Sequence, residues 1–362
     1  MDPISQAVIG ASFSQSHSKA ATKMPLALVA GIIGGMAPDL DVLIRSSSDP
    51  LLAIQFHRHF THSLFFVPFG GAIVGAFLYF TLGAWSRRSE NKSGKTGTSR
   101  FGNGYSLFDW IFFSTLGFAS HGLLDACTSY GTQLLWPFSN LRVAWNNIGI
   151  IDPVPTLTWL IGAVLAYRTK SVRPARIALA IGVAYLVFGV FQRERADDVQ
   201  ADLVKRRGHE AVRREVKPTI LQLFLWKSIY EYNGRYFSDA IYVGPFSNRV
   251  YQSSAPEGLL KFEVGTFPKL ESKPDSILEA DLKRFAWFSD DWLARVPQHE
   301  AVNQMVIGDI RYSLLPQEID PLWGIRFDQE NYDAHVEYVT FRNVTDRKFG
   351  VFRKMLLGQD LE

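Results

Sequence analysis

Three short stretches of the sequence place carboxylate and imidazole side chains close together. The side chains whose types and spacing could do chemistry are, in chain order, Asp39, Asp41, His57, His59, His62, His121 and Asp125. Neutral imidazole and ionised carboxylate both bind Zn²⁺, and the single cysteine, Cys127, excludes a site of several thiolates. We therefore predict a divalent metal site, with Zn²⁺ as the expected ion, in which bridging carboxylates could hold more than one ion. A bound metal ion lowers the pKa of water to about 7 and polarises a phosphoryl or carbonyl oxygen.

The local sequence explains why these residues stand out. Pro38 disfavours a helical conformation of the residue before it, so Asp39 and Asp41 lie where an apolar segment ends. His121 and Asp125 are four residues apart, so they share one face if the segment is helical. Ionisable side chains within an apolar span are costly and usually mark a functional site.

Each cluster also has a plainer interpretation. Asp39 and Asp41 could be solvated loop charges or a helix cap. The three histidines between residues 57 and 62 could form a proton-sensitive interfacial patch. His121 and Asp125 could form a structural hydrogen bond between helices. The predicted topology brings all three clusters to one side of a membrane, which argues against the three alternatives together.

The surrounding sequence predicts an all-α, multi-span membrane domain. Ser63–Trp85 is an apolar run of 23 residues without a formal charge, and a helix needs about 20 apolar residues to cross a bilayer core. Tyr105–Ala126 is also long enough, although it contains Asp109, His121 and Asp125. Three shorter runs of the same type are Met24–Ala37, Pro155–Tyr167 and Ile177–Phe191.

The basic residues predict the orientation of these segments. The polar linker of residues 86–100 carries five Lys or Arg against one Glu, and residues 168–176 carry four more basic residues. Both linkers belong in the cytoplasm by the positive-inside rule. The Asp and His clusters then meet at the outer face of the membrane. The last apolar run places the C-terminal domain on the outer side.

The charge balance differs between the two halves of the chain. Residues 1–192 hold 14 Lys and Arg against 8 Asp and Glu, whereas residues 193–362 hold 24 against 27. We predict a helical transmembrane domain over residues 1–192, a charged helical linker over residues 193–217 and a soluble α+β domain over residues 218–362. This distribution excludes one uniform soluble domain, intrinsic disorder and a polybasic nucleic-acid binder, so no nucleic-acid partner is expected.

The C-terminal half carries separate strand and helix signals. Leu225–Val243 is aromatic and β-branched around Asn233–Gly234, which predicts a β-hairpin. We further predict a helix over Asp281–Val296. Three more strands are expected over Met305–Leu315, Ile325–Phe327 and Ala334–Phe341.

The N-terminal half resembles the membrane-bound metal-dependent hydrolases, a YdjM-like family also described as LexA-binding inner-membrane-associated hydrolases. The resemblance covers about residues 1–192. It is carried by Met1–Ala7 with Gly10, by Pro38–Asp41, by His57–Arg58 and Thr61–Ser63, and by His121–Asp125 continuing through Thr132.

The resemblance implies a helical membrane domain with a metal centre, related distantly to zinc-dependent phospholipases C and nuclease-like helical enzymes. It implies that the metal ligands are Asp39, Asp41, His57, His62, His121 and Asp125. His59 falls at a position where no fixed ligand is expected. Many relatives have a histidine where this chain has Gln6, so either one metal position is lost or Gln6 contacts a ligand.

Together these observations predict an integral membrane metal-dependent hydrolase of the bacterial inner membrane, with its C-terminal domain on the outer, periplasmic side. The expected substrate is a phosphoester or a lipid-linked molecule at the outer membrane–water interface, attacked by a metal-activated water. Arg58 is expected to bind a phosphate oxygen, and Asp41 or Asp125 is the candidate general base. The first alternative is a non-catalytic membrane scaffold or regulator with a structural metal site. The second is a small transporter. The bilayer is the expected partner, and no protein partner is specified.

Overall fold

The structure is a computed structural model that describes residues 1–86, 104–267 and 273–361. Most of the basic linker predicted at residues 86–100 lies outside the described residues. The chain forms two compact units. The membrane unit comprises Met1–Val42, His57–Val190 and Ile220–Gln222, and the C-terminal unit comprises Leu43–Phe56, Phe191–Thr219 and Leu223–Glu362.

The membrane unit is helical, as predicted. Its α-helices are α1 (Pro3–Ser16), α2 (Met24–Met36), α4 (Val67–Leu78), α5 (Leu107–Ala126), α6 (Pro153–Thr169) and the first part of α7 (Arg173–Arg206). A 3₁₀ segment, Ala37–Leu43, extends α2, and a π-helical segment, Tyr79–Gly83, extends α4. Among the described residues, four helical stretches are long and apolar enough to cross a bilayer, namely Ala21–Leu43, Val67–Ser86, Leu107–Ala126 and Arg173–Arg206.

Helix α6 covers the predicted run Pro155–Tyr167 and has 17 residues. It begins at Pro153, two residues before that run, because the Asp152 carboxylate accepts a hydrogen bond from the Val154 N–H at 3.0 Å and so caps the helix. Helix α7 is continuous for 34 residues and runs through position 192, so the first part of the predicted linker continues the last apolar run.

The polar helix α1 is the element that hydropathy does not reveal. Its buried side chains bond to the backbone of neighbouring helices: Ser12 Oγ donates to the Trp159 carbonyl, Ser14 Oγ to that of Phe113, and Gln15 Nε2 to that of Ala163. These bonds satisfy polar groups inside an apolar bundle. A side chain at Gly10 would meet the backbone of α2 at 2.4 Å, so glycine permits the close approach of the two helices.

The C-terminal unit is α+β, as predicted, with two antiparallel sheets. The first contains β1 (Arg213–Pro218), β2 (Leu225–Tyr232), β3 (Arg235–Val243) and β4 (Asn248–Gln252) in that order, and β5 (Leu259–Leu260) also pairs with β3. The second contains, in order, β6 (Leu293–Arg295), β7 (Gln304–Asp309), β8 (Trp323–Asp328) and β9 (Glu337–Thr340). The unit also holds α3 (Leu52–Phe56), α8 (Ile277–Phe288) and α9 (Asp346–Leu356).

The predicted hairpin is confirmed, and one predicted helix has different bounds. Asn233 and Gly234 both adopt positive φ, at 49° and 68°, as a two-residue hairpin turn requires. The helix predicted over Asp281–Val296 is instead α8, which begins four residues earlier because Ser276 caps it. It ends at Phe288, before two successive left-handed residues at 290 and 291, and the remainder of the predicted span forms β6.

Candidate metal centre

Three segments of the membrane unit carry the predicted site residues. The 3₁₀ segment that ends the first apolar span holds Asp39 and Asp41. A short 3₁₀ helix, Phe60–His62, holds His62 just before α4. Helix α5 holds His121 and Asp125 in its last two turns. The structure therefore brings together all three sequence clusters, which was the expectation from topology.

Four side chains form the tightest group, which we call the four-donor cluster: Asp39, His62, His121 and Asp125. The two imidazole Nε2 atoms lie 2.9 Å apart. Asp39 Oδ1 lies 3.5 Å and 3.4 Å from them, and Asp125 Oδ2 lies 3.3 Å and 3.5 Å from them. Zinc–ligand bonds of about 2.0–2.2 Å in a tetrahedron separate the donors by roughly 3.3–3.6 Å. The donors thus have the chemistry and most of the spacing of a zinc shell.

Both imidazoles are oriented by their other ring nitrogen. His121 Nδ1 donates to the Gly35 carbonyl at 2.6 Å, and a carbonyl can only accept. His62 Nδ1 lies 3.0 Å from Thr61 Oγ1 and 3.3 Å from Asp41 Oδ2. With Nδ1 protonated, each ring presents its Nε2 lone pair to the cluster, which is the arrangement of a metal-bound histidine.

The electrostatics of the cluster favour a cation. Two Nε2 lone pairs that face each other at 2.9 Å repel, and either a proton or a metal ion between them removes that repulsion. Burial opposes protonation of His62, but contacts with Asp125, Asp39 and Asp41 outweigh it and raise the pKa of His62 to about 10. The carboxylates therefore create a strongly cation-attracting field at this point.

Arg58 lies beside the cluster, buried and in a left-handed conformation with φ of 61°. Its Nε is 3.1 Å from Asp125 Oδ2, and its Nη1 donates to Thr128 Oγ1 at 2.8 Å. The guanidinium also stacks over the Tyr130 ring at 4.9 Å. Through its contact with Asp125, the Arg58 guanidinium compensates the charge of that carboxylate. The predicted contact of Arg58 with a substrate phosphate stays a prediction.

A second group of donors adjoins the first and shares Asp39. It consists of Asp39, Asp41 and His57, whose ligand atoms lie within 4.8 Å of one another. His57 Nδ1 is 2.9 Å from Asp41 Oδ1, and the Arg58 N–H donates to Asp41 Oδ2 at 2.8 Å. Because Arg58 adopts a left-handed conformation, the His57 side chain and the Arg58 backbone N–H can both contact the Asp41 carboxylate.

His59 and Gln6 belong to neither donor group, and their contacts agree with what the family resemblance implies. The His59 ring lies against Trp136, with ring centroids 5.5 Å apart, and is a member of neither group. Gln6 Nε2 donates to Asp125 Oδ1 at 2.9 Å, and the α-amino group of Met1 contacts the same oxygen. Gln6 thus contacts a ligand candidate, which is one of the two predicted outcomes of replacing histidine.

Sequence reasoning missed the groups that orient the imidazoles. The Gly35 carbonyl has no signature in the sequence, because any residue supplies a carbonyl. Thr61 is identifiable only as a hydroxyl beside a histidine. Sequence reasoning also missed a third His/Asp group in the C-terminal unit, formed by Asp49, Asp281 and His335.

The plainer interpretations of the clusters do not describe these contacts well. Asp41 is buried, so it is not a solvated loop charge. His121 and Asp125 do not form an isolated pair, because each also contacts His62. The fold and site define a polytopic membrane protein with a buried His/Asp cluster at one end of its helices.

The chain belongs to the YdjM inner membrane protein family, whose model matches residues 1–196. The uncharacterized protein YfhP of Bacillus subtilis (strain 168) is 26% identical over 195 residues, which are 54% of this chain and 51% of YfhP. The inner membrane protein YbcI of Escherichia coli (strain K12) is 34% identical over 130 residues, which are 35% of this chain and 63% of YbcI. The chain thus spans about half to under two thirds of these relatives, and no solved structure matches it.

Proposed function

We propose that this inner membrane protein is a metal-dependent hydrolase of phosphoester or lipid-linked substrates at the membrane–water interface. The observation that carries the proposal is the four-donor cluster, in which two oriented imidazoles and two carboxylates converge from three segments. Such a donor set suits a divalent ion, with Zn²⁺ as the first choice. When bound, such an ion supplies a nucleophilic water near neutral pH and polarises a phosphoryl oxygen.

The residues of the site would have the following roles. His62, His121, Asp39 and Asp125 would hold the ion. Asp41 orients His62 through Nδ1 and remains, with Asp125, a candidate proton acceptor. Arg58 balances the charge of Asp125 and thereby keeps three neighbouring carboxylates compatible with burial.

The surface beside the cluster supports a substrate at headgroup depth. Leu40 lies between two site carboxylates and is 62% exposed, and Leu64 and Phe65 follow His62 and are 45% and 47% exposed. Exposed apolar side chains next to buried ionisable groups are expected where protein meets the acyl–headgroup boundary. A phosphate-bearing lipid presents its anionic group at that depth.

The test is hydrolysis by protein purified in detergent and reloaded with Zn²⁺. We expect cleavage of a generic phosphodiester, such as bis(p-nitrophenyl) phosphate, or of phosphatidylglycerol in mixed micelles. Asp125→Asn keeps the shape of the side chain but removes a donor charge, so it should abolish cleavage. His59→Ala is the matched control and should retain it. Equal activity of the wild type and Asp125→Asn would refute the proposal.

The second candidate function is a non-catalytic scaffold or regulator with a structural metal site. One observation favours it: four protein donors would close a tetrahedral shell, and closed shells are typical of structural zinc. This candidate predicts a metal-loaded protein that cleaves no phosphoester. It also predicts that Asp125→Asn lowers thermal stability without affecting any hydrolysis.

The proposal also includes an outer location for the C-terminal domain. The support is the pair of basic linkers at residues 86–100 and 168–176, which the positive-inside rule assigns to the cytoplasm. A phosphatase reporter fused after Glu362 should be active, and a fluorescent reporter that matures only in the cytoplasm should be dark. The reverse result would overturn this orientation.

A further inference from the structure

The second donor group, formed by Asp39, Asp41 and His57, differs from the four-donor cluster in the exposure of its side chains. The side chains of Asp39 and His57 are each 26% exposed, whereas those of His62, His121 and Asp125 are 0% exposed. Asp41, the third member, is 0% exposed, so two of the three donors reach the surface. A three-donor group with two members at the surface has room for a water or substrate ligand. Four donors, three of them fully buried, describe a site without such room.

We infer that the centre binds two divalent ions, a buried one in the four-donor cluster and an open one held by Asp39, Asp41 and His57. Asp39 is the bridging ligand, since it is the member that the two groups share. This inference rests on the proposed function and deepens it, because it assigns the substrate-accessible position to the open site and the structural position to the buried one.

The geometry of the two groups is compatible with a bridge. A carboxylate has two oxygens with about four lone-pair positions, so Asp39 can serve both groups. The shortest contacts of Asp39 with His62 and His121 run through Oδ1.

Asp41 links the two sites through its two oxygens. Oδ1 lies 2.9 Å from His57 Nδ1, in the open group, and Oδ2 lies 3.3 Å from His62 Nδ1, in the buried one. The same carboxylate therefore acts as a donor in one site and orients a histidine of the other. Replacing Asp41 would disturb both sites, whereas replacing His57 disturbs only the open one.

The charge balance points to an anionic substrate. Asp39, Asp41 and Asp125 sum to −3, and Arg58 together with the Met1 α-amino group on Asp125 offsets one to two of these charges, so two divalent ions leave about +2 to +3. A phosphate monoester or diester brings the compensating negative charge. A neutral carboxylic ester or an amide would not, so the two-ion centre selects phosphoesters within the proposed substrate classes.

The test is metal stoichiometry, measured by equilibrium dialysis against Zn²⁺ alone, followed by elemental analysis of detergent-purified protein. We expect two equivalents in the wild type, two in His59→Ala and one in His57→Ala. His57→Gln, which preserves side-chain bulk, should also bind one, and it guards against a folding defect of the alanine variant. Asp39→Asn should lose the open ion and weaken the buried one at least 10-fold.

A second measurement reports on the distance between the ions. Two Mn²⁺ ions that share a carboxylate couple magnetically, so the wild type should give a coupled electron paramagnetic resonance spectrum. His57→Ala should give the spectrum of an isolated ion. One equivalent in the wild type would overturn the inference and leave a one-ion hydrolase standing. Two equivalents in both His57 variants would overturn the assignment of His57 to the open site, and with it the inference. A wild type that binds no metal would overturn the proposed function as well.

Discussion

Two regions of this protein contain the same residue types in a tight group but differ in how the negative charge of their carboxylates is compensated. The four-donor cluster of the membrane unit and the group of Asp49, Asp281 and His335 in the C-terminal unit both combine carboxylates with histidine. In the C-terminal unit, Arg284 fills the space between the two carboxylates. Its Nη2 donates to Asp49 at 2.9 Å and its Nη1 to Asp281 at 3.0 Å.

The comparison shows that residue types alone do not define a metal site. Asp281 is buried but satisfied, because His335 Nδ1 lies 2.8 Å from it and the Val336 N–H donates to it at 3.1 Å. Arg284 supplies the remaining positive charge. In the membrane unit, the Arg58 guanidinium and the Met1 α-amino group both contact Asp125, and the Nε2 atoms of the two imidazoles lie 2.9 Å apart. Arg284 thus pairs with both carboxylates of the C-terminal group, whereas Arg58 pairs with one carboxylate of the membrane cluster, which makes the membrane cluster the better candidate for binding a metal ion.

The largest expected effect comes from removing one donor of the membrane cluster. His121→Ala should weaken Zn²⁺ binding on the order of 1,000-fold, about 4 kcal/mol, because one of four donors to the buried ion is lost. His335→Ala is the matched variant in the C-terminal group and should leave the metal content unchanged. Dialysis followed by elemental analysis distinguishes the two. Metal loss in His335→Ala would show that the C-terminal group also binds an ion.

A smaller effect is expected from removing the buried arginine of the membrane cluster. Arg58→Met leaves the Asp125 carboxylate without its guanidinium partner, which should destabilise the metal-free protein by about 3 kcal/mol. Added Zn²⁺ should restore much of that loss, since the ion compensates the same carboxylate. Thermal unfolding in detergent, with and without Zn²⁺, measures both quantities. An equal loss of stability with and without Zn²⁺ would contradict the idea that Arg58 and the ion both compensate the charge of Asp125.

The equivalent change in the C-terminal group should cost less. Arg284 is partly exposed, so solvent screens its ion pairs, and Arg284→Met should destabilise the protein by about 1 kcal/mol. Zn²⁺ should not rescue this variant, and its metal content should match the wild type. Rescue by Zn²⁺ would mean that the arginine stands in for a metal ion at this position.

The smallest effect is expected at the histidine that belongs to neither group. His59→Ala removes a half-buried ring packed against Trp136, so a loss of about 0.5 kcal/mol or less is expected, with normal metal content and activity. The same thermal and metal measurements apply. Metal loss comparable to that of a His62→Ala variant would mean that the ligand assignment among residues 57–62 is wrong.

Much of the fold follows from the sequence, because its signals are local. Uninterrupted apolar runs define the membrane-crossing helices, and the Asn233–Gly234 pair defines the hairpin, since both depend on neighbouring residues only. The helix over Ile277–Phe288 was predicted with shifted bounds. There the cap at Ser276 and the left-handed residues that follow outweighed hydrophobic periodicity. The polar helix α1 was missed as a buried element, because its burial depends on carbonyl acceptors in distant helices.

For the site, the sequence by itself determined the membrane setting, the family resemblance and the six side chains that could bind metal. Only the tertiary structure decided how they group. It divides them between a four-donor set and a three-donor set that share Asp39, and it orients His121 through the carbonyl of Gly35. It also places Arg58 on Asp125 and Arg284 on Asp49. The physical reason is that charge compensation and ligand orientation depend on distances between residues far apart in the chain, which no local pattern encodes.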